Sequence, residues 1–287
     1  MANKQYISPI RLFDHCSVPY DGEINTSRIK KQLAAEFDFA ASGFIEINGY
    51  TYNKTDVLEE LERPDFSDRL RYHKQIWKSK NILSILENNT GDLHALQQEF
   101  SKFQNDKDFD AFFSPWFAAP FNYICRSYLN EGKLCELSTL LLYEDFLQPA
   151  EKEEGFRSIR IFLEENLRLF KNIIRENYNN FRPKVQPWRT TGWDEFMNNL
   201  PDEFYDYKSE IAIELINLTV KIQKSNKEDC WAISNGLVGL RNLPNNLRET
   251  ILNNDKVFNP KEKSTSYTWI IWVVIIVLKL MASGGCN

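Results

Sequence analysis

The sequence predicts a mostly α-helical protein with one small N-terminal β-hairpin and a single C-terminal segment that spans or enters a membrane. Apolar residues recur at every third or fourth position along most of the chain, which is the period of an amphipathic helix. An Asn-Gly pair lies between two short runs of strand-forming residues. Ten apolar residues follow one another from Trp269 to Leu278, near the C-terminal end.

The composition is that of a folded globular body. The 287 residues are 43% hydrophobic and 26% charged, and this length allows one large or two small domains. The formal net charge of -5 disfavours nucleic acid as a partner, because phosphate backbones select basic surfaces. Five scattered cysteines without a Cys-x-x-Cys pair predict reduced thiols, and neither a disulfide framework nor a zinc site.

Residues 1–24 are predicted to be an irregular N-terminal segment. Pro9 and Pro19 interrupt any periodicity, and Asp21-Gly22 is a turn signal. No apolar run of signal-peptide length occurs in this segment, so we expect that the chain is not exported.

A helical domain with a β-hairpin at 44–52 is predicted over residues 25–180. Its first helix begins at Asn25 or Thr26, because both side chains cap helices well. The hairpin is predicted from Asn48-Gly49, since both central positions of a type I′ turn need a positive φ. The first helix buries an apolar stripe that consists of Ile29, Leu33 and Phe37.

Amphipathic helices are predicted from about residue 66 onward. The most aromatic stretch, residues 111–129, is expected to be a buried helix that Pro115 and Pro120 divide. The alternative is an aromatic-lined groove or a segment that can enter a membrane after rearrangement. A second helix follows Pro201, which suits a first helical position. The strongest stripe contains Phe156, Ile159, Phe162 or Leu163, Leu167, Phe170 and Ile174, with Arg168 on the opposite face.

The C-terminal half is predicted to be divided by a loop. Two prolines, a glycine and the lack of an apolar period predict a loop or linker at 181–193. The remaining boundaries are a C-terminal helical subdomain at 194–258, a polar linker at 259–266 and a hydrophobic membrane segment at 267–282.

The sequence contains no familiar catalytic or cofactor-binding motif. It has no phosphate-binding loop, dinucleotide fingerprint or nucleophile elbow, and we expect no cofactor. His15, His73 and His94 have no partner at metal-ligand spacing, so we expect no metal site. Arg69 and His73 are one residue too close together for the Arg…His signature of HEPN ribonucleases, and that activity is not predicted.

The apolar C-terminal run predicts a membrane segment. As a helix, residues 267–282 span about 24 Å, which is short for a hydrocarbon core of about 30 Å. Aromatic side chains at its start suit a membrane interface, and a lysine near its end can reach the opposite headgroups. The rival interpretation is a buried strand or docked helix. The predicted membrane residues are Trp269, Ile270, Ile271, Trp272, Val273, Val274, Ile275, Ile276, Val277, Leu278 and Lys279.

The orientation of the segment follows from its flanks. Lys256, Lys261 and Lys263 precede the run and match a cytoplasmic flank, so we expect a single-pass protein with a cytoplasmic body and a tail-anchored topology. The expected partners are the lipid bilayer and a protein, or a second copy of the chain.

Three functions are compatible with this pattern. The first is a non-enzymatic, membrane-tethered helical adaptor or scaffold. The second is a membrane-permeabilising effector whose body senses a signal and whose C-terminal segment self-associates. The third is a helical hydrolase or nuclease with a site assembled from distant residues. A pocket that gathers acidic residues with His73 or His94 would favour this third function.

Overall fold

A computed structural model describes residues 5–22, 25–40, 43–103 and 105–258, with the backbone alone for Leu93 and His94. The protein is mostly helical (75%), with one small antiparallel two-strand hairpin near the N-terminus, as the sequence predicts. The predicted polar linker at 259–266 and membrane segment at 267–282 lie outside the described residues. Among the helices that are described, none is long and apolar enough to cross a membrane.

The described part of the chain contains fifteen α-helices, four short 3-10 helices and two strands. The strands are β1 (Phe44–Ile47) and β2 (Tyr50–Asn53). The helices before residue 132 are α1 (Pro9–His15), α2 (Thr26–Phe39), α3 (Lys54–Glu62), α4 (Phe66–Lys78), α5 (Lys80–Asn88), α6 (Leu93–Phe100) and α7 (Lys107–Glu131). The later helices are α8 (Leu134–Leu141), α9 (Pro149–Gly155), α10 (Arg157–Asn172), α11 (Tyr178–Val185), α12 (Trp193–Asn198), α13 (Tyr205–Ile222), α14 (Lys227–Gly239) and α15 (Asn245–Phe258).

The chain divides into two compact units. The first unit takes its described residues from Met1–Cys125 and Asp145–Ser158, and the second from Arg126–Glu144 and Ile159–Asn287. This division differs from the boundary that the sequence predicts at 181–193.

The N-terminal segment is partly helical, in contrast to the irregular segment predicted for residues 1–24. Pro9 opens α1, where its fixed φ suits the first helical position and its missing N–H costs no hydrogen bond. Helix α1 buries Ile10, Leu12 and Phe13 in the core of the first unit. This burial explains why a seven-residue helix is stable in a segment whose local signals indicate a loop.

The second helix and the hairpin follow their local signals. Asn25 caps α2 by accepting a hydrogen bond from Arg28 N, and the predicted stripe is buried. Asn48 and Gly49 both have positive φ, at 52° and 83°, which produces the predicted turn. The register pairs Ile47 with Tyr50 directly beside this turn. Tyr52, on β2, points into the core of the first unit.

Helix α7 carries the aromatic core of the first unit. Its side chains Phe109, Phe113 and Phe117 recur one turn apart, with successive ring centroids 5.1 and 4.9 Å apart. The helix is continuous through Pro115 and Pro120, although the sequence predicts a division there. Stacking along one face holds the helix together where the two prolines remove hydrogen bonds.

The second unit is built around two buried tryptophans. Trp188 and Trp193 are fully buried with their ring centroids 5.3 Å apart, and Trp188 Nε1 donates to Asn166 Oδ1 at 2.8 Å. The predicted linker at 181–193 is therefore largely helical, because it contains the end of α11 and a 3-10 helix, Gln186–Arg189. Burial of Val185 and Trp188 outweighs the local proline signals.

Candidate functional site

The first unit contains a cavity of about 280 Å³ beneath the hairpin and α3. Its walls come from the segment that leads into α1, from β2, and from helices α3, α4 and α7. The aromatic side chains that line it are Tyr6, Phe13, Tyr52, Phe66 and Trp116. The charged side chains that line it are Asp56, Glu59, Glu60, Arg63 and Arg69.

His73 lies against this cavity and is held at both ring nitrogens. Its Nδ1 is 2.9 Å from the Tyr6 hydroxyl, and its Nε2 is 3.4 Å from Glu60 Oε1. Arg69 donates two hydrogen bonds to the same carboxylate, from Nε to Oε1 at 2.5 Å and from a terminal nitrogen to Oε2 at 3.2 Å. His73 and Tyr6 are only 3% and 2% exposed, so the cluster lies deep in the unit.

The protonation states of this cluster follow from burial and from its hydrogen bonds. Burial lowers the pKa of His73, because a buried imidazolium loses its hydration, and Glu60 opposes this only in part. Burial opposes the ionisation of Glu60, but hydrogen bonds from His73 and Arg69 outweigh it and lower the pKa of Glu60 to about 2. Burial also raises the pKa of Tyr6. At neutral pH the cluster therefore holds a carboxylate, a neutral imidazole and a neutral phenol.

These charge states fix the direction of the hydrogen bonds. Ionised Glu60 only accepts, so the neutral imidazole of His73 carries its proton on Nε2 and donates to Glu60. Nδ1 is then an acceptor, and the Tyr6 hydroxyl donates to it. A chain of hydrogen bonds thus runs from Tyr6 through His73 to Glu60.

A second ion pair, between Arg11 and Glu87, lies next to the hairpin residues that contribute to the cavity wall. Arg11 donates to both carboxylate oxygens of Glu87, at 2.9 and 2.6 Å, and Glu87 is almost fully buried. The same guanidinium lies 3.8 Å from the centroid of the Tyr50 ring. The Tyr52 hydroxyl donates to Ser8 O at 2.9 Å. These contacts tie the hairpin to the segment that carries Tyr6.

Of the other candidate site residues singled out from the sequence, those that the structure describes do not line this cavity. The membrane residues Trp269–Lys279 lie outside the described residues. His15 is exposed on α1. Of the cysteines in the described part of the chain, all are free thiols, and Cys135 is exposed while Cys16, Cys125 and Cys230 are buried. Within the same residues no group of three or more His, Cys, Asp or Glu side chains is placed to hold a metal ion.

The second unit has its own cavity, of about 430 Å³, lined by residues that include Arg189, Thr191, Glu195 and Trp231. Arg189 is engaged with buried Asp229, at 2.6 Å, which also accepts a hydrogen bond from Tyr178. No histidine lines this cavity. The cavity of the first unit is therefore the better candidate for a functional site.

No local pattern in the sequence indicates this cluster. Tyr6 lies 67 positions and Glu60 13 positions from His73 along the chain, so no local spacing connects them. One partial signal exists, because Arg69 and His73 are four residues apart and share one face of α4. Both side chains reach the same carboxylate from that face.

No family model, no curated protein and no solved structure matches this chain. Conclusions about function therefore rest on the chemistry of the cavity and on the sequence.

Proposed function

We propose that this protein is a membrane-tethered helical protein whose first unit binds a small ligand in the cavity beside His73. The observation that carries the proposal is the cavity itself, which joins five aromatic side chains to a buried and fully hydrogen-bonded polar cluster. Small-molecule sites in proteins are concave, mostly apolar and equipped with a few well-placed polar groups.

The geometry supports binding better than proton transfer. The cavity does gather acidic residues with His73, which is the arrangement that the sequence analysis associates with a hydrolase. Both ring nitrogens of His73 already form hydrogen bonds, however, and Tyr6, which donates to one of them, is almost fully buried. A general base needs a nitrogen or oxygen within reach of the substrate proton. We therefore assign to this cluster the role of holding the cavity wall in place.

The test compares the wild-type chain with a variant whose cavity is filled. Val57 lines the cavity and is half-buried, so a tryptophan at this position would occupy the ligand volume. Neutral and charged aromatic fragments are screened by saturation-transfer NMR against the full chain in a neutral detergent. We expect fragments that bind the wild type and fail to bind Val57→Trp, with both proteins folded by circular dichroism. If no fragment distinguishes the two proteins, ligand binding in this cavity is wrong.

A membrane-tethered adaptor, with its body on the cytoplasmic side, is a second proposal. It is favoured by the ten-residue apolar run at Trp269–Leu278 and by the absence of catalytic motifs in the sequence. Phe39, at the end of α2, is 86% exposed and offers a position for a photo-crosslinking residue. Crosslinking in native membranes should give one defined adduct with a partner or a second copy. A chain that forms no adduct there or at Tyr123, which is also exposed, contradicts this proposal.

A membrane-permeabilising role would make a different demand on the C-terminal segment. Lys279 follows the apolar run directly, and a pore would place its charge in water within an oligomer. Lys279→Leu should then abolish dye leakage from vesicles while the protein stays bound to them. In a simple anchor the same change removes a charge from the membrane edge and strengthens insertion. If the segment is a simple anchor, the wild-type protein should release no dye from the vesicles.

A further inference from the structure

The positively charged side chains that line the first cavity are already engaged. Arg69 donates hydrogen bonds from two of its nitrogens to Glu60, and its guanidinium lies 4.7 Å from the centroid of the Phe112 ring. Arg63 donates to Asp65 at 3.2 Å. An anionic ligand would meet Arg69 already paired with Glu60 and Arg63 already paired with Asp65, so neither guanidinium offers an uncompensated charge.

Carboxylates outnumber guanidinium groups in the lining of the same cavity. The lining includes the three carboxylates of Asp56, Glu59 and Glu60 and the two guanidinium groups of Arg63 and Arg69. Glu59 is exposed on α3, and it has no ion-pair partner within the described part of the chain. Glu59 also lines the cavity, so its carboxylate is available to pair with a ligand there.

The aromatic side chains that line the cavity also favour a positively charged ligand. The faces of aromatic rings are electron-rich and attract ammonium groups, with tryptophan the strongest of them. Trp116 is half-buried, and its ring packs edge-on against Tyr6 with the centroids 5.6 Å apart. A cation inside this cavity would meet aromatic side chains and a carboxylate among the residues that line it.

We propose that the ligand of this cavity is a small organic cation, an ammonium carried on an apolar or aromatic body. The proposal rests on the ligand-binding function proposed above and specifies the chemical class of the ligand. The apolar body would lie among the aromatic side chains, and the ammonium would pair with Glu59. A cavity of about 280 Å³ is at the small end of the range for ligand sites, which limits the ligand to a single-ring amine or a molecule of similar size.

Three probes of matched shape test the charge: phenethylammonium, phenethyl alcohol and phenylacetate. Each is titrated calorimetrically into the full chain in a neutral detergent, with the detergent alone as the blank. We expect the ammonium to bind about tenfold more tightly than the alcohol, from one ion pair and one aromatic contact, and phenylacetate to bind most weakly. Glu59→Gln should reduce the preference for the ammonium about threefold.

A matched variant controls for the overall charge of the unit. Glu46 is exposed on β1 and does not line the cavity, so Glu46→Gln removes the same charge and should leave the preference unchanged. Equal affinity for the ammonium and the alcohol, with both lost in Val57→Trp, would overturn the cationic ligand and leave ligand binding intact. Absence of binding by all three probes would overturn the cationic ligand, whereas binding that Val57→Trp does not affect would overturn both proposals.

Discussion

His73 is surrounded by side chains that come from three separate parts of the chain. Tyr6 and Glu60 bond to its two nitrogens, and the ring of Phe112 stands edge-on to it with the centroids 4.9 Å apart. Tyr6 also stacks against the imidazole, at 5.7 Å between the ring centroids. A charged imidazolium would be poorly hydrated here, and burial accordingly lowers the pKa of His73.

The lowered pKa of His73 predicts a dependence of stability on pH. Below the ordinary histidine value of about 6.5, the unfolded chain binds a proton that the folded chain does not bind. The contribution of His73 is therefore fully present above that pH and is lost as the pH falls toward the folded-state pKa. We expect His73→Gln to lower the free energy of unfolding by about 1–3 kcal/mol at pH 7, because it weakens the bonds to Tyr6 and Glu60.

The difference between wild type and His73→Gln should shrink as the pH falls from 7 to 5, since the variant has no imidazole to protonate. Urea denaturation followed by circular dichroism at each pH measures it. His15→Gln, at an exposed position, is the control for loss of an imidazole and should leave the stability at pH 7 unchanged. A difference that is constant with pH would show that His73 is not buried in its neutral form.

At the scale of single elements, local sequence signals and burial together decide where each helix begins and ends. Asn25 and Asn53 cap α2 and α3 by accepting hydrogen bonds from nearby backbone N–H groups. Helix α10 ends at Asn172, before the last residue of its predicted stripe. Ile174 is consequently 52% exposed, and Ile173 takes the buried place. Where a helix ends thus decides which of two neighbouring isoleucines enters the core.

The hairpin turn gives a prediction about the backbone. Gly49 has a φ of 83°, and no atom lies within 4 Å of where a Cβ would stand, so a side chain there meets strain and no clash. Gly49→Val should lower the free energy of unfolding by about 1–3 kcal/mol, because β-branched residues resist positive φ. Gly49→Asn is the matched control, since asparagine tolerates this conformation. An unchanged melting temperature in the valine variant would contradict the turn.

The two faces of α10 give a prediction about packing. Leu167 is 6% exposed, while the side chain of Arg168 is 77% exposed and lies 3.9 Å from Glu164. Leu167→Ala should cost about 2–5 kcal/mol through the cavity it leaves. Arg168→Ala should cost less than about 1 kcal/mol, because exposed ion pairs contribute little. Equal costs, measured by chemical denaturation, would show that the two faces are assigned wrongly.

At the scale of the whole molecule, membrane attachment stays a prediction from the sequence, because residues 267–282 lie outside the described part. The apolar run from Trp269 to Leu278 should hold the chain in membranes by its buried apolar area, which salt does not weaken. We expect the full-length chain to stay in the membrane fraction after a high-salt wash. A chain that ends at residue 263 should appear in the supernatant.

A single-residue control separates insertion from loss of the whole segment. Val274→Asp places a carboxylate near the middle of the run, at a cost of about 2.5–3.5 kcal/mol on insertion scales, and should weaken attachment. Release of the wild type by salt alone would mean that charge, and not apolar area, holds the protein at the surface.

The predicted and observed folds agree where short-range signals are strong. The Asn48-Gly49 turn, the capping by Asn25 and the stripe of α2 each depend on residues within a few positions of one another. The helices at Pro9–His15 and Gln186–Arg189 were not predicted, because the burial of Phe13 and Trp188 overrides their local proline signals.

The sequence by itself determined the helical class of this protein, its one hairpin and the apolar faces of its main helices, because periodicity and turn chemistry act over short stretches of chain. Only the tertiary structure decided that Tyr6, Glu60 and His73 meet beside a cavity. Their hydrogen bonds join residues from separate elements, and the charge of each group is set by the burial that this meeting produces. Packing between distant elements therefore created the candidate site, and no short-range pattern could contain it.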